Sequence, residues 1–229
     1  MHLMKCTVHR SLRRGQERQL TTTITNWADL RCPWCWIGHR QLGRALGRLE
    51  SGTRVEYRSF LLEPAGPTRA GITVREAALS SWGFDEERWA AHSRKIVAGG
   101  TSESLTINID TTLVVDSRNA HRLLKLVADR ELNRFEAWDS LYSRHFESND
   151  DIADWTVLRS VGEQVGLAGG DITMLVETDE CSAAVDDDIR DAAALGISSI
   201  PTVLANSVRI TGDPSVGLDR IEVRPAVGR

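Results

Sequence analysis

The sequence predicts an α/β protein whose α/β domain is interrupted by an all-helical block, and three observations carry that prediction. A strand–helix–strand pattern occupies roughly residues 22–60, helical periodicity fills most of 73–180, and strand character returns only after residue 200. The length agrees, because 229 residues are long for one compact domain and call for a large insertion or a second unit. With 41% hydrophobic and 26% charged residues, the composition is that of a globular chain rather than a disordered one.

Residues 1–20 are polar, carry Arg10, Arg13 and Arg14, and lack periodicity, so they read as a flexible arm. No apolar stretch follows those arginines as a signal peptide requires, and no apolar run approaches the ~20 residues that span a bilayer. A cytoplasmic protein without membrane contact is expected. The formal net charge of -4 gives no basic footprint for nucleic acid.

Residues 22–28 (TTITNWA) are β-branched and aromatic, the pattern of a strand, and Asp29-Leu30 leads from it into a turn. From Cys32 to about Glu50 the pattern is helical, with Ile37, Leu42, Leu46 and Leu49 near one face and Ser51-Gly52 as the stop. Residues 54–60 (RVEYRSF) form the second strand, and a crossover this short implies parallel pairing.

Beyond Glu63-Pro64 the only strand-like stretch before residue 180 is 106–109. Ala120, Leu123, Leu124, Val127 and Ala128 make one helical stripe, and Phe135, Trp138, Leu141, Tyr142 and His145 make the next. Asp154 is the expected N-cap of a third helix through Leu158, Val161 and Val165. Gly99-Gly100 and Gly169-Gly170 are expected to punctuate the block. A hairpin of residues 202–205 and 208–211, turning at Asn206-Ser207, closes the α/β part.

The chemistry is concentrated in Cys32-Pro33-Trp34-Cys35, where a strand hands over to a helix. The first cysteine then meets unpaired backbone N–H groups and the positive end of the helix dipole, and both favour a thiolate. Cys35 is one turn on, within reach of a mixed disulfide on Cys32, and Pro33 suits the first turn because its missing N–H has no partner there. Pro33-Trp34 brings no cation between the cysteines, so the redox potential is expected nearer a reductant's than a strong oxidant's. A zinc site needs a second ligand pair at short spacing, which lone Cys6, lone Cys181 and scattered histidines do not supply. A permanent structural disulfide is disfavoured by the tiny loop and by the lack of a secretion signal. Ile200-Pro201 before a strand is, taken alone, most simply a trans structural proline.

The run Asp29-Leu30-Arg31-Cys32-Pro33-Trp34-Cys35-Trp36-Ile37-Gly38 closely resembles the D-x-x-C-P-W-C-[YW]-[IL]-G signature of the FrnE-like branch of the DsbA family. Phe60-Leu61-Leu62-Glu63-Pro64 is similar to its F-x-L-x-P motif. The stretch from Asp116 through Ser117, Arg118, Asn119, Ala120, His121 and Arg122 to Leu123 is similar to its N-[ST]-x-x-A-H-R-L helix start, with Asp116 where the family usually has Asn. Ser199-Ile200-Pro201-Thr202 is similar to its [GS]-[VI]-P-T loop.

The resemblance implies a thioredoxin-like fold interrupted by an all-helical insertion domain: 21–63 and 181–229 in the thioredoxin-like domain, 64–180 in the insertion. It implies a thiol–disulfide oxidoreductase with Cys32 as nucleophile, Cys35 as resolving thiol and no cofactor or metal. A cis Pro201 and the Ile200 backbone would bind substrate. The partner would be a disulfide- or thiol-containing protein or small molecule, glutathione among them. Two alternatives remain open, a glutathione-dependent isomerase or transferase of the same fold and a non-catalytic binding or chaperone-like module. The closing helix after Gly212-Asp213-Pro214 is expected to be short or broken.

Single residues carry further expectations. His121 is a substrate-binding candidate that also reads as a half-buried core residue, and His39 reads as a surface or lid contact. Trp34 is expected exposed as a substrate platform, and Trp36 packed between core and insertion. Asp29 is a proton acceptor for Cys35 or a turn residue. Asp186-Asp187-Asp188 reads as a solvated helix face, Cys181 as buried and inert, and Cys6 as an exposed bystander.

Overall fold

Strand β1 (Thr23–Ala28) lies at the centre of the α/β part, between β2 (Arg54–Ser59) and β3 (Thr202–Ala205), with β4 (Val208–Thr211) at the edge. Pairing is parallel between β1 and β2, with Thr23 opposite Arg54 and Ala28 opposite Ser59, and antiparallel between β1 and β3 and between β3 and β4. The parallel crossover and the closing hairpin are those the sequence predicts. The chain is described here from a computed structural model, covering residues 23–48, 53–206, 208–211 and 213–219. The arm at 1–20 with Cys6, together with Leu49, the Ser51-Gly52 stop, Ser207 and residues 220–229, lies outside the described residues.

Alternation along β1 decides which helices cover the sheet. Ile24 packs with Leu42 and Ala45 of α1 (Pro33–Leu46), with Val203, Ala205 and Ile210 of the hairpin, and with Leu218 of α9 (Pro214–Asp219). Trp27, three residues on and so on the opposite face, packs with Ile197 and with Ala192 of α8 (Ser182–Ala194). The closing helix, as described, is six residues long, in agreement with expectation.

Helix α1 stops at Leu46 with Gly47 as its C-cap, earlier than the predicted end near Glu50. A glycine without a side chain extends no apolar stripe and carries about 1 kcal/mol less helix preference than alanine.

Between β2 and α8 run α2 (Val74–Ser80), α3 (Glu86–Ser102), α4 (Arg118–Asp129), α5 (Arg134–Phe146), α6 (Trp155–Gln164) and α7 (Gly169–Glu177). Their starts follow side-chain chemistry. Thr73 and Glu76 form a reciprocal capping box, and Asp85, Asn133 and Asp154 each accept a backbone N–H at the head of their helices.

Two sequence expectations fail in this block. Residues 106–109 are not a strand. They form an extended connector that buries Leu105, Ile107 and Ile109, and its backbone N–H groups bond to helix ends, Leu105 to Gly100 O and Asn108 to Phe146 O. Gly99-Gly100 lies inside α3 rather than at a break. The reason is close packing, since a Cβ on Gly99 would meet Trp34 Cζ3 and Ile37 Cδ1 at 3.1 Å.

Candidate active site

Cys32 is the N-cap of α1, with extended backbone (φ -98°, ψ 111°), and Pro33 occupies the first helical turn. The Cys32 N–H bonds back to Asp29 O at 3.1 Å, and Cys35 N–H bonds to Cys32 O at 2.9 Å. This turn places Cys32 at the positive end of the helix with 8% of its surface exposed, while Cys35 has none. The two thiols are in hydrogen-bonding contact. Burial, the thiol–thiol bond and the charge of Cys32 push the Cys35 thiol well above its ordinary range.

Asp29 lies beneath this turn with no exposed surface. Burial alone would raise its carboxyl, but the combined pull of its neighbours holds it below the usual carboxylate range. Arg31 N–H donates to Oδ1 at 3.1 Å, Leu62 N–H to Oδ2 at 2.7 Å and Ser117 Oγ–H to Oδ1 at 2.8 Å, while His121 Nε2 stands 3.5 Å from Oδ1. A carboxylate held by this many donors anchors the turn, joining β1, the segment after β2 and the head of α4. It is poorly suited to accept a proton from Cys35, so the turn-residue alternative agrees with the geometry.

Beside Cys32 opens a cavity of about 380 Å³ between the head of α1 and the insertion. Cys32, Pro33 and Trp34 line it on one side, and α2, α3 and the segments around them line it on the other. Trp34 is 37% exposed, as expected of a platform. In the lining Arg31 pairs with Glu63 at 2.6 Å.

The Ile200–Pro201 peptide bond is cis. Pro201 packs on α1 at Gly38, where a Cβ would meet Pro201 Cγ at 3.0 Å, so only glycine admits the proline this close to the cysteine turn. Cys32, Pro33 and Trp34 thus occupy the head of α1, and Pro201 packs against the same helix at Gly38.

Other residues divide between agreement and correction. His121 takes the core alternative and not the cleft: it has no exposed surface, packs edge-on to Trp138 and stands with Nε2 3.5 Å from Asp29 Oδ1. His39 is not a surface or lid residue. It is 1% exposed, stacks on Phe135 at 3.9 Å and bonds Tyr57 Oη at 3.1 Å, because it shares the inward face of α1 with Cys35, Trp36 and Leu42. Trp36 does join core to insertion, stacking on Tyr142 and Phe146 and donating to Asp139 at 3.0 Å. Of the Asp186–188 run, Asp188 is not solvated. It is buried and accepts from Arg58, Lys125 and the Ser59 N–H, tying β2 to α4 and α8. Cys181 is buried, and Asp116, at the family's Asn position, accepts from Arg118 N–H at 2.9 Å.

The sequence reading missed Trp82, Phe84, Trp89 and His145, which line the cavity from the insertion. Three aromatic side chains within eight residues were the available signal.

A family model for the DSBA-like thioredoxin domain matches residues 23–223. No curated protein matches the chain. Among solved structures, a probable DsbA oxidoreductase from Streptomyces coelicolor superposes with a TM-score of 0.79 at 23% identity, covering 86% of each chain. A putative protein disulfide isomerase from Nitrosomonas europaea gives 0.63 at 15% identity, covering 84% of this chain and 90% of that one. The cytosolic disulfide reductase DsbM from Pseudomonas aeruginosa, in a structure with GSH, gives 0.56 at 18% identity over 82% and 88%. At these identities the superpositions establish a shared fold, a thioredoxin-like domain with a helical insertion. With its family model matched over most of its length, the chain belongs to the DSBA-like thioredoxin domain family.

Proposed function

We propose that the chain is a thiol–disulfide oxidoreductase that works through a mixed disulfide on Cys32. The observation that carries this reading is the asymmetry of the cysteine pair. Cys32 is at the helix head and on the cavity wall, whereas Cys35 is fully buried and in contact with it. A substrate disulfide is attacked by the Cys32 thiolate, one substrate thiolate leaves, and Cys35 then attacks Cys32 Sγ to release the other. Ile200 and cis Pro201, packed on α1, hold the bound chain or sulfur in an extended pose.

The relatives' descriptions support the same class: a probable oxidoreductase, a putative disulfide isomerase, and a cytosolic reductase solved with GSH. A low-molecular-weight thiol such as glutathione is accordingly the proposed reducing partner, and the cytoplasm the proposed setting. Among the described residues no helix is long and apolar enough to cross a membrane.

The experiment is trapping. Cys35→Ser should accumulate a covalent disulfide adduct on Cys32, visible by intact mass and reversed by dithiothreitol, and Cys32→Ser should form none. Full turnover by Cys35→Ser would contradict the resolving role.

A further inference from the structure

We propose that the cavity beside Cys32 is a binding site for small aromatic disulfides and thiols that carry a hydroxyl group, with His145 as its hydrogen-bonding anchor. The inference rests on the thiol–disulfide reading and adds to it the substrate class and a binding residue.

Three observations point to such a ligand. The lining is ring-rich, with Trp34, Trp82, Phe84 and Trp89 around a volume of about 380 Å³, within the ~300–1,000 Å³ usual for small-molecule sites. Trp82 is 47% exposed and Trp34 37%, two large aromatic surfaces left unpaired at the cavity's edge. Offset stacking of an arene against such rings covers both.

The second observation is His145. It lines the cavity, is 1% exposed, and its Nδ1 has no hydrogen-bond partner. A buried polar atom without a partner calls for one. Burial lowers its imidazole to about 4 against a backbone hydrogen bond to Asp150 that favours the proton, so at neutral pH it is an uncharged ring whose free nitrogen accepts and suits a hydroxyl donor.

The third is charge. The guanidinium in the lining, Arg31, is already paired with Glu63 at 2.6 Å. An anionic peptide such as glutathione would meet a neutralised pair there, whereas a neutral arene loses nothing.

The step balances without a cofactor. The Cys32 thiolate attacks the sulfur attached to the aryl group, forming Cys32–S–S–aryl and expelling the other half of the disulfide as a thiolate. Cys35, losing its proton to solvent, attacks Cys32 Sγ, and the aryl thiolate leaves. The substrate is reduced by two electrons and the cysteine pair oxidised by two, and two equivalents of a low-molecular-weight monothiol restore the dithiol as they become a disulfide.

The test separates binding from redox. In the full chain carrying Cys32→Ser and Cys35→Ser, calorimetric titration with naphthol and with naphthalene reads the cavity alone. Both should bind. Adding His145→Phe should weaken naphthol about tenfold and leave naphthalene unchanged, and adding Trp82→Ala, at an exposed position that does not endanger folding, should weaken both about threefold. Failure of both arenes to bind, or an unchanged naphthol-to-naphthalene ratio in the His145→Phe protein, overturns the proposal. With the native cysteines, a naphthyl disulfide should be reduced with a kcat/KM at least tenfold that for glutathione disulfide, and equal values would overturn the substrate assignment. If arenes bind as described but no disulfide of any kind is exchanged, the binding site stands and the oxidoreductase reading falls.

Discussion

The Ser117 hydroxyl donates to Asp29 Oδ1 at 2.8 Å, a bond between the N-cap of the first insertion helix beyond the cavity and the turn that delivers Cys32. Eighty-eight residues separate the two in sequence. Through this contact the insertion and the cysteine turn share one buried carboxylate, and the N–H of Leu62, a cavity-lining residue, bonds its other oxygen at 2.7 Å.

Replacing that carboxylate has two expected effects. Asp29→Asn removes the charge from the acceptor of Ser117 and of two backbone N–H groups, so the unfolding free energy should fall by a total of a few kcal/mol, read as a lower denaturant midpoint. The negative charge of Asp29 also contributes to the elevation of the Cys35 thiol, so in the variant Cys35 should be alkylated at lower pH than in the parent. Alkylation rates across a pH series, with peptide mapping, read this directly, and a shift to higher pH would contradict the electrostatic account.

Acid should destabilise the protein before its carboxylates titrate. Burial lowers His39 from 6.5 to about 3 and His145 from 6.5 to about 4. Both bind a proton more readily when unfolded, so stability rises with pH through the interval between the folded and unfolded values. It is fully present above about 6.5 and lost as pH falls. Between pH 7 and 5 the loss is roughly 2 kcal/mol per histidine. Urea unfolding at the two pH values checks it, and His39→Phe should cut the pH-dependent part of the loss by about half.

The buried ion cluster at Asp188 should behave as a structural fastening. Asp188→Ala leaves Lys125 and the Ser59 N–H without this acceptor and Arg58 with only its weaker pairs to Glu56 and Asp191, at a cost of roughly 3–5 kcal/mol. Redox exchange in the protein that remains folded should be close to the parent's, because none of these groups lines the cavity. Equilibrium unfolding and disulfide exchange on the same preparation separate the two effects.

Gly38 makes the opposite prediction. Alanine should favour the helix by up to about 1 kcal/mol, but its Cβ would press on Pro201 Cγ at 3.0 Å. Gly38→Ala should therefore slow exchange severalfold with little change in Tm, and Gly38→Val should slow it further. Unchanged exchange in both variants would remove Pro201 from the working site.

Much of this was legible in the sequence because it is local. The β-branched run at 22–28, the stripe from Ala120 to Ala128 and the capping residue Asp154 each report a short-range preference, and the structure agrees with the last two and, over its described residues Thr23–Ala28, with the first. What failed depends on neighbours distant in sequence. His39 looks like a surface residue until Phe135 and Tyr57 arrive from other elements, and Asp188 looks solvated until Arg58 and Lys125 close on it. Alternation at 106–109 reports a buried face correctly, but whether an extended segment joins a sheet depends on a partner edge that the insertion does not offer. Cys32 and Cys35 were legible from their spacing at a strand-to-helix junction and Pro201 through motif resemblance, whereas His145 carries no motif and needed the cavity to be seen.

The most direct test of the central claim is a glutathione redox titration of the purified chain, with mass-tagged alkylation of Cys32 and Cys35. The account predicts one reversible two-electron transition between about -120 and -270 mV, nearer the reducing end, with both cysteines changing together. Two thiols that stay free, or stay paired, across that whole range would contradict it.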